Sequence, residues 1–210
     1  MFKRFFLLVC LLATPVVHAQ PVVLVLGDSL SAAYGIPLEQ GWVALLEQRL
    51  SDEGLPHRVV NASVSGETTA GGLARLPQLL DRHQPEWVLI ELGGNDGLRG
   101  QPPRKLDENL TAMVAQVRAA GGEAILFEMM IPANYGPAYT SAFTKTFSTV
   151  AERLDAPLVP FMLAPIAEDE SQFLDDGIHP NADAQPLLLD AVWPTLAPLL
   201  GASKNNGGRN

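Results

Sequence analysis

A serine near the start of the chain and an aspartate–histidine pair near its end are the residues best suited to chemistry. Ser29 stands in Gly27-Asp28-Ser29-Leu30-Ser31, and the pair in Asp176-Gly177-Ile178-His179-Pro180. A serine hydroxyl is a weak nucleophile until a base takes its proton. An imidazole is such a base, and a carboxylate can orient it and stabilise its charged form. Alone, Ser29 reads as a helix cap and Asp176-Gly177 as a turn. Together they supply the nucleophile, base and acid of acyl transfer. Two more blocks offer hydrogen-bond donors for a developing oxyanion. Gly66, in Ser65-Gly66-Glu67-Thr68, has a backbone N–H that no side chain shields. Asn95, in Gly93-Gly94-Asn95-Asp96-Gly97, carries a neutral amide on what reads as a tight glycine turn. With the N–H of Ser29 they would make a three-donor oxyanion hole. Asp28 adjoins the nucleophile and is expected to fix the surrounding loop rather than serve as the acid.

These blocks need elements that bring them together. Val22-Val23-Leu24-Val25-Leu26 is an unbroken apolar run ended by glycine, the pattern of a buried parallel strand. Further strands are expected at Arg58–Ala62, Trp87–Leu92, Ala124–Met129 and Pro157–Phe161. Helical patterns lie between them, at Trp42–Leu50, Ala70–Leu80, Pro103–Ala120 and Ala138–Leu154. A last one, Ala184–Leu200, is interrupted by Pro186, Pro194 and Pro198 and is expected to be broken or short. The alternation implies right-handed β-α-β units. The expected fold is a flavodoxin-like three-layer α/β/α sandwich on a five-stranded parallel sheet of order 2-1-3-4-5. The four blocks then fall after strands one, two, three and five, on the carboxyl edge where such sheets bind ligands.

Taken in order, Gly27-Asp28-Ser29-Leu30, Gly66, Gly94-Asn95-Asp96 and Asp176-Gly177-Ile178-His179 resemble the blocks of the SGNH hydrolases, also called GDSL esterases and lipases. Gly41-Trp42, the Asn61-to-Leu76 segment, Glu91 to Gly100, and Pro132-Ala133-Asn134-Tyr135-Gly136 are similar to the family's periplasmic branch of multifunctional thioesterases, lysophospholipases and arylesterases. The resemblance implies a serine hydrolase of carboxylic esters and acyl thioesters. It implies Ser29 as nucleophile, Asp176 and His179 as its partners, and Gly66 and Asn95 as oxyanion donors. A carbohydrate O-acetylesterase is the alternative within the family, and a non-catalytic periplasmic ligand-binding domain the alternative outside it. The G-x-S-x-G setting of a standard α/β-hydrolase is absent. Leu98, Met130, Ile131, Tyr135 and Ile178 are apolar or amphipathic residues expected on the same edge. They are the candidates for binding a medium or long acyl chain.

Composition narrows the partners. Lys3 and Arg4, the apolar run Phe5–Ala13 and Val17-His18-Ala19 form a signal-peptide pattern, with cleavage expected after Ala19 and a periplasmic or secreted product. Losing those two bases takes the formal net charge from −9 to −11. Such acidity argues against nucleic acid or anionic lipid as partner. The one cysteine, Cys10, lies in the expected signal. No disulfide or thiol nucleophile is therefore expected in the mature chain. No metal or other cofactor is expected, and no stable membrane insertion. Small acyl esters or thioesters are the expected partners of a monomer. His57 and His83 read as surface-loop residues. Residues 20–200 are expected to form one domain, and 201–210 a disordered tail.

Overall fold

The computed structural model describes residues 20–206. The expected signal peptide, residues 1–19, lies outside the described residues, as do residues 207–210. Five strands form the sheet: β1 Val22–Gly27, β2 Arg58–Asn61, β3 Trp87–Glu91, β4 Glu123–Phe127 and β5 Leu158–Val159. Their order is β2-β1-β3-β4-β5 and every pairing is parallel. The expected fold class is therefore the observed one. β1 lies inside the sheet, between β2 and β3, with all six residues buried, which explains a run with no polar alternation. β5 is two residues long, shorter than expected. Pro157 and Pro160 bracket it, and neither can donate to a ladder. The ladder still closes around the first of them, since the carbonyls of Pro157 and Val159 take the N–H groups of Leu126 and Glu128 at 2.9 Å each.

The helices are α1 Trp42–Asp52, α2 Thr69–His83, α3 Gly94–Leu98, α4 Pro103–Ala119, α5 Pro137–Leu154 and α6 Gln185–Asn206. α1 and α6 pack together against one face of the sheet, and α2, α4 and α5 line up across the other. No helix among the described residues is long and apolar enough to cross a membrane.

α6 corrects an expectation. It runs unbroken for 22 residues despite its prolines, and carries helix into the segment after 200. Pro186 stands in the first turn, where its missing N–H is not needed. Pro194 and Pro198 are exposed and share a face, so the carbonyls they leave unpaired can be hydrated. The opposite stripe, Leu188, Val192, Leu196 and Leu200, is fully buried. An interior proline costs about 3 kcal/mol, and each buried aliphatic side chain contributes about 1.5–3 kcal/mol. Four such burials offset the two prolines.

Two smaller corrections follow. His57 is buried, with 6% exposure, rather than on a surface loop. Arg58 already donates to the carbonyl of Pro21 at 2.9 Å, which draws the preceding residue in with the sheet. His83 is half-buried at the last position of α2 rather than in a loop.

Candidate active site

β1 delivers Ser29 to the carboxyl edge, and long-range hydrogen bonds hold the turn that bears it. Asp28 N–H donates to Glu91 Oε2 at 3.3 Å, and Ser31 Oγ donates to the same oxygen. Glu91 ends β3, so the turn bearing Ser29 is tied to the neighbouring strand. Asn61, at the end of β2, donates to the carbonyl of Ser31 at 2.7 Å. Asp28, 3% exposed, caps the turn through Oδ1, which accepts from Leu30 N–H at 3.0 Å. This is the loop-fixing role expected for it.

The candidate base, His179, comes from the loop after β5. His179 N–H and Ile178 N–H both donate to Asp176 Oδ1, at 3.0 and 2.9 Å. Leu174 N–H donates to the carbonyl of His179 at 2.8 Å, and Gly177 adopts φ +65° at the tip between them. The imidazole bridges the site. Its Nδ1 lies 2.7 Å from Asp176 Oδ2 and its Nε2 lies 2.9 Å from Ser29 Oγ. An ionised carboxylate only accepts, so Nδ1 carries the proton and Nε2 is free to accept from Ser29. The distances form a continuous line from hydroxyl to carboxylate, with Ser29 and His179 150 residues apart in sequence.

Gly66 and Asn95 sit beside that line in different ways. Gly66 adopts φ +76°, a left-handed conformation that glycine tolerates at little cost. Thr68 then caps α2, its Oγ1 accepting from Gly71 N–H at 3.2 Å. Neither Gly66 N–H nor Ser29 N–H donates to a protein acceptor among the described residues. Asn95 is not on a simple turn as expected. It occupies the first turn of α3, which Gly93 enters at φ +122°. The physical reason lies in the next residue. Asp96, 3% exposed, accepts from Thr69 N–H at 2.8 Å and from Thr69 Oγ1, docking α3 onto the start of α2. Asn95 Nδ2 donates one hydrogen to Asp28 Oδ2 at 3.0 Å, leaving the second for a ligand.

The three acids of the site differ sharply. The His179 backbone N–H, its ring and the Ile178 N–H hold the Asp176 carboxyl down at about 2. Burial raises Asp28 to about 6, against the pull of Leu30 N–H and the Asn95 amide. Burial, and then the charge of Asp28, pushes fully buried Glu91 well above the ordinary carboxylate range. Asp176 is thus the ionised partner of His179, while Glu91 favours its neutral form.

The five acyl-binding candidates do not stand alike. Leu98, Met130, Tyr135 and Ile178 are exposed. Tyr135 Oη donates to the carbonyl of Leu98 at 2.8 Å, which joins two of them. Ile131 is buried at 8% in the core, and its Cγ2 lies where a Cβ at Gly97 would stand. It supports α3 from beneath. Three residues escaped the sequence reading. Glu91 was visible as a lone carboxylate in an apolar strand run. Arg99, whose guanidinium donates to the carbonyl of Gly66 at 3.0 Å, gave no comparable signal. Nor did Tyr34, whose ring centroid lies 4.3 Å from that of His179.

Residues 25–186 match the model of the GDSL-like lipase/acylhydrolase family. The chain is 53% identical over 182 residues to esterase TesA of Pseudomonas aeruginosa, spanning 87% of this chain and 90% of that protein. It is 45% identical over 182 residues to thioesterase 1/protease 1/lysophospholipase L1 of Escherichia coli K12, spanning 87% and 86%. Among solved structures it resembles the psychrotrophic esterase EstA from Pseudoalteromonas sp., inhibited by monoethylphosphonate. The TM-score is 0.82 at 44% identity, covering 86% of this chain and 98% of that one.

Proposed function

The chain belongs to the GDSL-like lipase/acylhydrolase family, and from that premise we propose that Ser29, His179 and Asp176 carry out its acyl transfer. It is a carboxylic ester hydrolase of the esterase, thioesterase and lysophospholipase type. His179 takes the Ser29 proton as the oxygen attacks an ester or thioester carbonyl. Asp176, ionised at neutral pH, stabilises the imidazolium that forms. The N–H groups of Ser29 and Gly66 and the Asn95 amide receive the oxyanion. His179 then protonates the leaving alcohol or thiol. Water activated by the same imidazole hydrolyses the acyl-serine. What carries the reading is the unbroken hydrogen-bonded line from Ser29 Oγ through His179 to Asp176.

The substrates are small acyl esters and thioesters with medium or long chains, lying against the apolar residues Leu98, Met130, Tyr135 and Ile178. Residues 20–200 act as one catalytic domain. The basic, apolar and small-residue pattern over residues 1–19 directs the product to the periplasm or beyond. A panel of soluble esters and thioesters, from acetyl to decanoyl, tests the substrate class on the mature protein. A rate that rises with acyl length supports it. Turnover confined to acetylated sugars overturns it.

A further inference from the structure

Tyr34 leaves a large ring 49% exposed, outside the hydrophobic core and in the same turn as the nucleophile. Its N–H donates to the carbonyl of Ser29 at 3.2 Å. The residue before it, Ala33, is buried and adopts φ +55°, a conformation disfavoured for any residue with a Cβ. A Cβ at Gly41 would meet that of Ala33 at 2.8 Å, so the packing around the strained residue is close. The outcome of this strained turn is a ring against His179, with centroids 4.3 Å apart and planes at 38°.

The two nitrogens of His179 are engaged along the ring edge by Ser29 and Asp176. Those bonds leave the imidazole free to tilt about the line joining them. A ring packed against it restricts that tilt. The face of an aromatic ring also carries negative potential, which attracts imidazolium more than neutral imidazole. His179 becomes imidazolium only once it has taken the serine proton. An interaction that strengthens at that moment raises kcat rather than lowering KM. The other charged groups facing His179 are Asp176, hydrogen-bonded to it, and Asp28, behind the nucleophile.

We propose that Tyr34 is a positioning residue of the acyl-transfer reaction, its ring bracing His179 and stabilising the imidazolium. This rests on the assignment of Ser29 and His179 above. The test compares Tyr34→Ala and Tyr34→Phe with the parent enzyme on a soluble hexanoyl ester, with a thermal melt of each. The expected result for Tyr34→Ala is a fall of about tenfold in kcat, KM within about twofold, and an unchanged melt. Tyr34→Phe keeps the ring and should restore kcat to within about twofold of the parent. A raised KM at unchanged kcat would make Tyr34 a substrate contact and overturn the proposal. So would a Phe variant as impaired as the Ala variant, or an Ala variant with the parent rate. Ser29→Ala, run alongside, separates the two layers of argument: turnover there within about tenfold of the parent defeats the nucleophile assignment, whatever Tyr34 does.

Discussion

The two halves of the active site are built by opposite means. The nucleophile half is anchored from below. Glu91, Asn61 and Asn95, each more than 29 residues away in sequence, bond to the turn carrying Ser29. The base half is held mainly by itself. Asp176 fastens the N–H groups two and three residues on, and Leu174 closes the loop onto His179. Asp28 is buried, whereas Asp176 keeps 37% of its side chain exposed. A turn that carries the nucleophile and an oxyanion N–H must hold position to a fraction of an ångström, and ties to the sheet supply that. A base that accepts and returns a proton twice per turnover needs a charged partner. A carboxylate near water keeps its charge more cheaply than a buried one.

The largest effects should be equal across the two halves. Ser29→Ala and His179→Ala should each lower kcat by roughly 10⁴-fold or more, because the members act as a unit. Ser29→Ala should also abolish covalent labelling by an organophosphonate. Labelling at another serine, or a His179 variant retaining most of its turnover, would break the relay that joins the halves.

Asn95→Ala probes the anchored half alone. Loss of one oxyanion donor should lower kcat by about 10²–10³-fold with little change in KM. Asp28→Asn should reduce kcat less. It keeps an oxygen for Leu30 N–H but puts an amide NH2 where Asp28 Oδ2 accepts from Asn95, so the bond that aims Asn95 is lost. Steady-state kinetics of both variants decide this. An Asn95 variant with near-normal kcat would make that residue merely part of α3.

These anchors mark how far the sequence could be read. The inner strands were legible because β1 is an unbroken apolar run and β3 is apolar up to Glu91, both largely buried. Ser29, Gly66 and Asn95 were legible because they fall in turn-forming stretches soon after a strand run, and Asp176 and His179 because a carboxylate and an imidazole stand three residues apart around a glycine. The continuity of α6 was not. It depends on Pro194 and Pro198 facing water while a leucine and valine stripe meets the sheet, a tertiary fact. Nor were the anchors themselves. Glu91 is one carboxylate in a strand, and only the folded chain shows that it receives Asp28 N–H and Ser31. The Tyr34–His179 contact joins residues 145 positions apart and depends on a left-handed Ala33 that no sequence pattern announces.

Acid should pull the halves apart in opposite directions. Asp28 titrates near 6 in the folded protein and near its ordinary 3.8 when unfolded. Between those values the folded state holds the extra proton, so this group adds stability as pH falls from about 6 to about 4. Asp176 is lowered from 3.8 to about 2. Its contribution is fully present above about 4 and is lost as pH falls towards 2. Melting temperatures from pH 7 to 2.5 should show the first slope shrink in Asp28→Asn, leaving the part due to buried Glu91, and the second shrink in Asp176→Asn. A Asp28→Asn profile parallel to the parent between pH 6 and 4 would contradict the raised acid. The Asp176 effect should be the smaller, since the group is partly exposed and solvent screens it.

The smallest effect expected concerns which half receives the acyl chain. Leu98, Met130 and Tyr135 follow β3 and β4, on the anchored side, and Tyr135 is bonded to Leu98. Ile178 alone stands in the base loop, next to the residue that protonates the leaving group. The acyl chain is therefore expected along Leu98 and Met130, with the leaving group near Ile178. Each methylene buried contributes up to about 0.8 kcal/mol, or roughly fourfold in kcat/KM. Rates should climb with acyl length and level off where the apolar surface ends. Leu98→Ala should cut the advantage of octanoyl over acetyl esters by about fourfold while leaving acetyl turnover nearly unchanged. Ile178→Ala should leave that ratio intact and alter discrimination between leaving groups. Ile131→Ala is the control for packing. Buried beneath α3, it should lower the melting temperature, since an Ile-to-Ala cavity costs about 2–5 kcal/mol. Soluble esters assayed below their micelle concentrations measure the ratio directly. If Ile178→Ala flattens the chain-length profile and Leu98→Ala does not, the acyl chain lies on the base half and this division of labour is reversed.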